Sequence, residues 1–331
     1  MPMKVAVVGC GFQGAIHARN VAASPHAELA WCVDVDLGRA RALAEDCGAS
    51  HASDRVADVW QDEAVEAVVI ATTTNTHHEL ALAAARHQKH MLLEKPMAMT
   101  VEQCLAIERA CDEEGVIAVV GYKFRFTEAV AETRRFVPEP RVLVAHTLYD
   151  PAPAGSSSWV NDRSKSGGRL VSSLVHSIDL VRFLTGDEVL RVYAEGALIA
   201  EPRLPEPDTA VATLMFREGA IGSIVHGTAG ASGLVSTWSF QAASLGVNAT
   251  IHDHGRKAVL RRAGEQELTV VDPAEDPFEA GTKPLFDGLV AAIEGEDVEM
   301  PGPRDGTMSL LVARCIEEAM QAGQPVDVPS L

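Results

Sequence analysis

The sequence predicts two domains of different kinds. The first is an α/β domain on a doubly wound parallel sheet, and the second is an α+β domain with a large open, mostly antiparallel sheet. Three observations carry this. Residues 4–120 alternate short apolar strand patterns with amphipathic helix patterns. Beyond residue 188, strand patterns follow one another through tight connections such as Arg217-Glu218-Gly219. The length, 331 residues, suits two domains better than one. The division falls at 1–121 and 122–331, with packing of the last helix, 305–322, back onto the first domain as an alternative.

The first strand, 4–8, feeds Gly9-Cys10-Gly11-Phe12-Gln13-Gly14 and then a helix over 12–23. Gly-x-Gly-x-x-Gly in that position is a dinucleotide-binding turn, which makes the first domain a Rossmann domain. Gly9 allows the tight turn, Gly11 lets the backbone approach a pyrophosphate, and Gly14 lets the helix pack against the strand. Amide groups from Phe12 and Gln13 onward then face the negative charge. The second strand, 28–34, ends at Asp34, about 20 residues on. A carboxylate there accepts hydrogen bonds from a ribose 2′-hydroxyl and repels a 2′-phosphate, which favours NAD over NADP. Asp36 reads as the cap of helix 37–47. Arg39 is either a solvated helix residue or a guanidinium that could still hold a 2′-phosphate.

Strand 67–71 leads into Thr72-Thr73-Thr74-Asn75, with His77-His78 just beyond, where polar groups would meet the cofactor. Strand 90–93 leads into Glu94-Lys95-Pro96, and Lys95 stands at the edge where doubly wound sheets bind ligands. A lysine there could hydrogen-bond a substrate hydroxyl and favour a developing alkoxide, although a lone strand-end lysine is more often a solvated group. Helix 100–113 and strand 116–120 complete the first domain.

The second domain opens with helix 127–137, strand 141–149 and a Pro/Gly/Ser-rich loop, 150–168. Trp159 in that loop could cover a nicotinamide or sugar face, or anchor the loop in the core. Helix 169–185 carries Ser172, His176 and Asp179 on one face. An imidazole has the right unperturbed pKa for proton transfer near neutrality, and Asp179 could orient it or pair with Arg182. The competing reading is a buried histidine satisfied by its neighbours. Strands are expected at 188–199, 209–216, 220–228, 235–242, 247–252, 257–262 and 266–271, then helices near 278–294 and 305–322. His252-x-His254 puts two imidazoles on one strand face, but no third ligand stands at metal spacing, so no metal site is expected.

Hydrophobic residues make up 47% of the chain, and the formal charge is −18 with pI near 5.0. Such acidity argues against nucleic-acid or anionic-membrane partners. The six cysteines form no Cys-x-x-Cys pair, no apolar run approaches a membrane span, and the first strand begins too early for a signal peptide. These features predict a cytoplasmic protein. The segments 210–216 and 221–225 look apolar enough to need burial on both sides, which predicts a homodimer or homotetramer through the open sheet.

Several segments in order resemble the glucose–fructose oxidoreductase / inositol dehydrogenase / MocA family. They are the glycine turn with a histidine three residues on, 33–36, 71–78, 89–96, Gly121-Tyr122-Lys123-Phe124-Arg125-Phe126, and Gly167-Gly168 leading to His176-Ser177-Ile178-Asp179-Leu180. The resemblance spans nearly the whole chain and implies an NAD(P)-dependent oxidoreductase. Its substrate would be a small molecule, with hydride moving between the nicotinamide and a secondary alcohol or ketone of a sugar, polyol or cyclitol. It implies that Lys95 hydrogen-bonds the reacting oxygen and His176 relays its proton. Arg125, Trp159, Ser172 and Asp179 would stand on the substrate side. The cofactor would be held by the glycine turn with Phe12 and Gln13, by Asp34 and Arg39, by Thr72, Thr73, Asn75 and His78, and by Glu94 and Lys95. Ser172 stands where many members carry an aspartate, and Thr74 where many carry proline. The missing aspartate leaves open a catalytically silent cofactor-binding sensor or regulatory protein, and an NAD-assisted glycosidase of the same fold is the alternative among enzymes.

Overall fold

The computed structural model describes residues 2–150, 159–200, 206–230, 238–273 and 281–331. The chain divides into two compact units, Met1–Lys123 with Thr282–Thr307, and Phe124–Gly281 with Met308–Leu331.

The first unit contains β1 (Met3–Val8), α1 (Phe12–Ala23), β2 (Ala27–Val33), α2 (Leu37–Cys47), β3 (His51–Ser53) and α3 (Ala57–Gln61). It continues with β4 (Ala67–Ile70), α4 (Thr74–Arg86), β5 (His90–Leu93), α5 (Val101–Glu114) and β6 (Ala118–Val120). The strands order as β3-β2-β1-β4-β5-β6, and every neighbouring pair is parallel. This is the doubly wound sheet expected, with its strand order reversing between β1 and β4. Both faces are covered, so Val5, Val7, Val68, Val69 and Leu92 are fully buried and the strands read as continuous apolar runs. The short β3 and α3 escaped the sequence reading because three and five residues are too few to show a period.

The first unit does not end at residue 121. Helix α9 (Thr282–Ile293) packs against α1, β5 and β6 and buries Leu285, Phe286 and Leu289. Its apolar stripe completes the covering of the parallel sheet, a pairing of distant segments with no local signature. The start of the helix expected at 278–294 lies outside the described residues.

The second unit contains α6 (Glu128–Phe136), β7 (Val142–Leu148), α7 (Arg163–Ser166), α8 (Arg169–Thr185), β8 (Val189–Ala197), β9 (Thr209–Phe216) and β10 (Ile221–Gly227). It continues with β11 (Trp238–Ser244), β12 (Val247–His252), β13 (Lys257–Arg262), β14 (Thr269–Val271) and β15 (Val326–Asp327). The last long helix, α10 (Pro303–Ala322), begins in the first unit and continues into the second. Nine strands order as β14-β13-β12-β11-β7-β10-β9-β8-β15. All neighbours are antiparallel except β7 and β10. The first residues of the strand expected at 235–242, and 151–158 of the loop, lie outside the described residues.

Helix α8 packs over β7 and β10. On β9, Ala210, Ala212, Leu214 and Phe216 are buried, whereas Val211 and Met215 alternate with them at 51% and 44% exposure. Ile221 and Val142 are also exposed. The apolar segments 210–216 and 221–225 are therefore two-sided, with one side left open among the described residues.

Candidate active site

Each unit carries candidate functional residues of its own. In the first, Gly9 has φ +95°, and a Cβ there would lie 2.5 Å from the Ala71 carbonyl oxygen. A Cβ on Gly14 would lie 1.8 Å from the Gly9 oxygen, so the helix can start here only with glycine. Gly11 differs: a Cβ would meet nothing within 4 Å. Packing does not demand a glycine at that position, and the open space fits a pyrophosphate against the start of α1. Phe12, the first residue of α1, is 81% exposed.

Asp34 is buried at the end of β2, where its carboxylate accepts hydrogen bonds from the Cys10 amide (2.8 Å) and the Asp36 amide (2.9 Å). It is thereby fixed against the glycine turn. Asp36 caps α2, accepting from the Gly38 and Arg39 amides. The half-exposed Arg39 guanidinium reaches both acids, at 3.4 Å from Asp34 and 3.6 Å from Asp36.

At the end of β4, α4 begins at Thr74, so Thr72 and Thr73 precede the first turn of a helix. Their hydroxyls are linked forward, Thr76 donating to Thr72 Oγ1 and Thr73 to Asn75 Oδ1, both at 2.8 Å. Asn75 is exposed and His78 half-buried. His77, by contrast, is buried, its ring nitrogens 2.8 Å from the Pro96 oxygen and 3.2 Å from the Thr72 oxygen. Burial pushes its pKa down, so it serves as a neutral strut between the β4 and β5 exits, not as a ligand.

Glu94, at the end of β5, accepts from His17 Nε2 at 2.9 Å and from the Lys95 amide at 3.1 Å. Burial works against its charge, but the His17 hydrogen bond and the charges of His17, Lys95 and Lys123 outweigh it and hold the pKa at about 2. A Cβ on Gly121 would fall 2.9 Å from the same carboxylate. Lys95 is half-buried, and burial lowers its ammonium pKa while Glu94 opposes the fall. His17 thus ties α1, the helix of the glycine turn, to the Glu94-Lys95 exit.

In the second unit, the residues of α8 from Leu170 to Arg182 are all buried except Ser173 and His176. The Phe124 ring meets His176 edge-on at 4.9 Å, and Trp238 packs on Phe124 at 5.0 Å. Asp179 pairs with a residue from outside its own helix. It holds Arg125, whose Nε and Nη2 donate to its two oxygens at 2.9 and 2.5 Å, both side chains being buried. Arg182 pairs with Glu188. Arg125 also lies 4.9 Å over the Phe183 ring. The guanidinium from the turn at 123–126 meets both carboxylate oxygens in a bidentate fork.

Ser172, read as the hydroxyl at the site's edge, is 5% exposed, whereas Ser173 beside it is half-buried. A serine side chain is short, so where the helix is covered it stays beneath while the imidazole one turn on reaches out. Trp159 begins a 3-10 turn at 36% exposure, which does not fit a core anchor. His254 lies off the strand, because β12 ends at His252 and Asp253 and His254 take φ of +51° and +57°. Its ring stacks on Trp238 at 5.5 Å.

The sequence reading did not single out His226. It lies fully buried on β10, with Nε2 2.7 Å from Ser173 Oγ. A lone histidine in a strand pattern carries no signal of such a partner. His17 had one, its place three residues after the glycine turn, but nothing in the sequence joined it to Glu94.

Comparison with known proteins accords with this geometry. Residues 3–122 match the oxidoreductase family with an NAD-binding Rossmann fold, and residues 140–328 match the C-terminal alpha/beta domain of the same family. The chain is 30% identical over 229 residues to myo-inositol 2-dehydrogenase of Thermotoga maritima, covering 67% of each. It is 25% identical to an uncharacterized oxidoreductase of Bacillus subtilis over 97% of this chain and 95% of that one. Among solved structures, levoglucosan dehydrogenase in complex with NADH and levoglucosan superposes with a TM-score of 0.91 at 23% identity, each chain covered to 100%. An oxidoreductase domain protein from Kribbella flavida gives 0.90 at 24%, again covering 100% of each chain. At such identities these structures establish the fold.

Proposed function

The chain belongs to the glucose–fructose oxidoreductase / inositol dehydrogenase / MocA family of NAD-dependent oxidoreductases, and from that premise we propose that it acts on a secondary alcohol or ketone of a sugar, polyol or cyclitol. The observation that carries the reading is the His17–Glu94 bond, which locks the Lys95 exit to the helix of the dinucleotide turn within one unit. When bound, NAD supplies the hydride acceptor or donor. The chain's own residues do the rest. The turn at Gly9–Gly14 holds the pyrophosphate and Asp34 the adenosine ribose, while Thr72, Thr73, Asn75, His78 and Glu94 line the remaining cofactor side. Lys95 donates a hydrogen bond to the reacting oxygen, and its lowered pKa brings it nearer to proton exchange. His176 takes the hydroxyl proton of an alcohol or returns it to a carbonyl. Trp159 is available to cover the substrate. Arg125 and Asp179 position the turn at 123–126 against α8.

The test is NADH formation from NAD⁺ with a panel headed by myo-inositol and extending to other cyclitols, polyols and aldoses. Lys95→Met should lower kcat roughly 100-fold or more. His176→Asn should lower it roughly 100- to 10,000-fold with NADH affinity unchanged. Turnover near wild type in His176→Asn would remove that residue from the chemistry. NADH binding with no turnover across the panel would favour a sensor.

The open side of the nine-stranded sheet supports a homo-oligomer. Val142, Val211, Met215 and Ile221 on that side gain from burial against a second copy. Light scattering at micromolar concentration should give a dimer or tetramer, and a monomer would refute this. None of the six cysteines forms a disulfide, which supports a reducing, cytoplasmic setting. Among the described residues no helix is long and apolar enough to cross a membrane.

A further inference from the structure

Ser173 and His176 are i, i+3 neighbours and form the one window in the buried stretch of α8. Behind Ser173 stands a buried polar cluster. His226 Nε2 lies 2.7 Å from Ser173 Oγ. Its Nδ1 bonds Thr147 Oγ1 on β7 and lies 3.2 Å from Ser177 Oγ, and those two hydroxyls are 3.1 Å apart. Tyr149 meets the ring edge-on at 5.7 Å, and burial pushes the Tyr149 phenol up to about 12. Three hydroxyls and an imidazole between a helix and a sheet are costly filler compared with apolar side chains. What they offer is reversible polarity without net charge. A neutral imidazole has one N–H, and each hydroxyl both donates and accepts. With the hydrogen on Nδ1, Nε2 accepts from Ser173, whose oxygen is left to accept from a ligand. With the hydrogen on Nε2, the ring donates to Ser173, whose own hydrogen can then leave the long contacts to the Arg169 and Leu170 carbonyls (3.5 and 3.4 Å) and donate to a ligand.

We propose that His226, acting through Ser173, is a positioning residue that sets the polarity of the hydroxyl beside His176. Ser173 then shares the reacting O–H hydrogen of the alcohol form with His176 and donates to the carbonyl oxygen of the ketone form. The ligand this fits is a neutral polyhydroxylated molecule, because only a group that changes from donor to acceptor needs a partner whose polarity can reverse. The proposal rests on the reading of His176 as the group that exchanges the substrate proton. No bond of the substrate is made or broken at Ser173 or His226.

The test uses the NADH- or NAD⁺-loaded protein with myo-inositol and its 2-keto derivative. Ser173→Ala should raise KM for both about tenfold, the value of one or two lost hydrogen bonds, while changing kcat less than about threefold. Ser173→Thr, which keeps the hydroxyl, should restore KM. His226→Gln should reproduce the KM effect, and adding it to Ser173→Ala should change little further, because the two act in series. A merely structural role would lower Tm in both variants without that non-additivity and without rescue by threonine. A second readout needs no turnover. The ¹⁵N resonances of the His226 ring, assigned by their loss in His226→Gln, should report opposite tautomers with the two probes. An unchanged KM in Ser173→Ala, multiplying losses in the double variant, or one tautomer with both probes or no response to either would each overturn the proposal. Failure of the His176 reading would show separately, as full turnover in His176→Asn.

Discussion

The candidate functional residues of the two units are positioned by different means. In the first unit the functional groups are backbone turns and contiguous residues at strand ends: Gly9 to Gly14 after β1, Thr72 to Asn75 after β4, Glu94-Lys95 after β5. In the second, His176 sits among side chains brought from separate segments, with Phe124 at its edge, Trp238 behind Phe124, and the Ser173–His226 pair one turn away. The difference teaches where a short motif is enough. A strand end in a doubly wound sheet already has its place at the ligand edge, so a motif there brings its own geometry. A helix face has no such address, and what stands opposite is decided by packing.

The sharpest way to break that contrast is the buried pair in the second unit. Asp179→Asn leaves the buried Arg125 without its counter-charge and should cost about 3–5 kcal/mol in thermal or urea unfolding. Replacing both residues with apolar ones of similar size should recover most of the loss. A cost below about 1 kcal/mol would mean that Arg125 escapes to water and that α8 does not depend on a partner distant in sequence. The first unit is tested by two glycines that look alike in sequence. Gly14→Ala places a Cβ 1.8 Å from the Gly9 oxygen and should destabilise the fold by about 1–3 kcal/mol. Gly11→Ala meets nothing within 4 Å, so unfolding should shift by less than about 0.5 kcal/mol while NADH affinity falls about tenfold or more. Wild-type NADH affinity in Gly11→Ala would show that the open space is not the pyrophosphate's. The smallest effect concerns Asp34. Fluorescence titration should show NADH bound about tenfold more tightly than NADPH, about 1.4 kcal/mol, from charge repulsion and one lost hydrogen bond. Equal affinities would transfer the role to Arg39, which lies 3.4 Å from Asp34 and is half free to turn toward a phosphate.

Much of the first unit was legible because its signals are local. Helices 12–23 and 37–47 have the bounds read from the pattern, since the glycine turn and the Asp36 cap mark their starts. Gly48 in a left-handed conformation closes the second. Helix 169–185 was equally legible, bounded by Gly168 and Gly186. Its partners were not. Asp179 was expected to orient His176 or meet Arg182, three residues away on the same helix, because sequence spacing shows only neighbours along the chain. The carboxylate instead faces Arg125 across the packing. Ser172 drew notice by its spacing from His176, yet Ser173 is the less buried serine and the one bonded to His226.

The sequence by itself determined the fold class, the dinucleotide turn, the carboxylate at the end of β2 and the lysine at the end of β5. Each follows from backbone sterics or strand-end position within a few residues. Only the tertiary structure decided that α9 returns to the first unit, that His17 holds Glu94, that Arg125 holds Asp179, and that an unremarked histidine on β10 stands behind Ser173. These depend on which distant side chains the core brings into hydrogen-bond range. Burial makes such polar pairings obligatory, but it does not write the partner's identity into the local pattern of either residue.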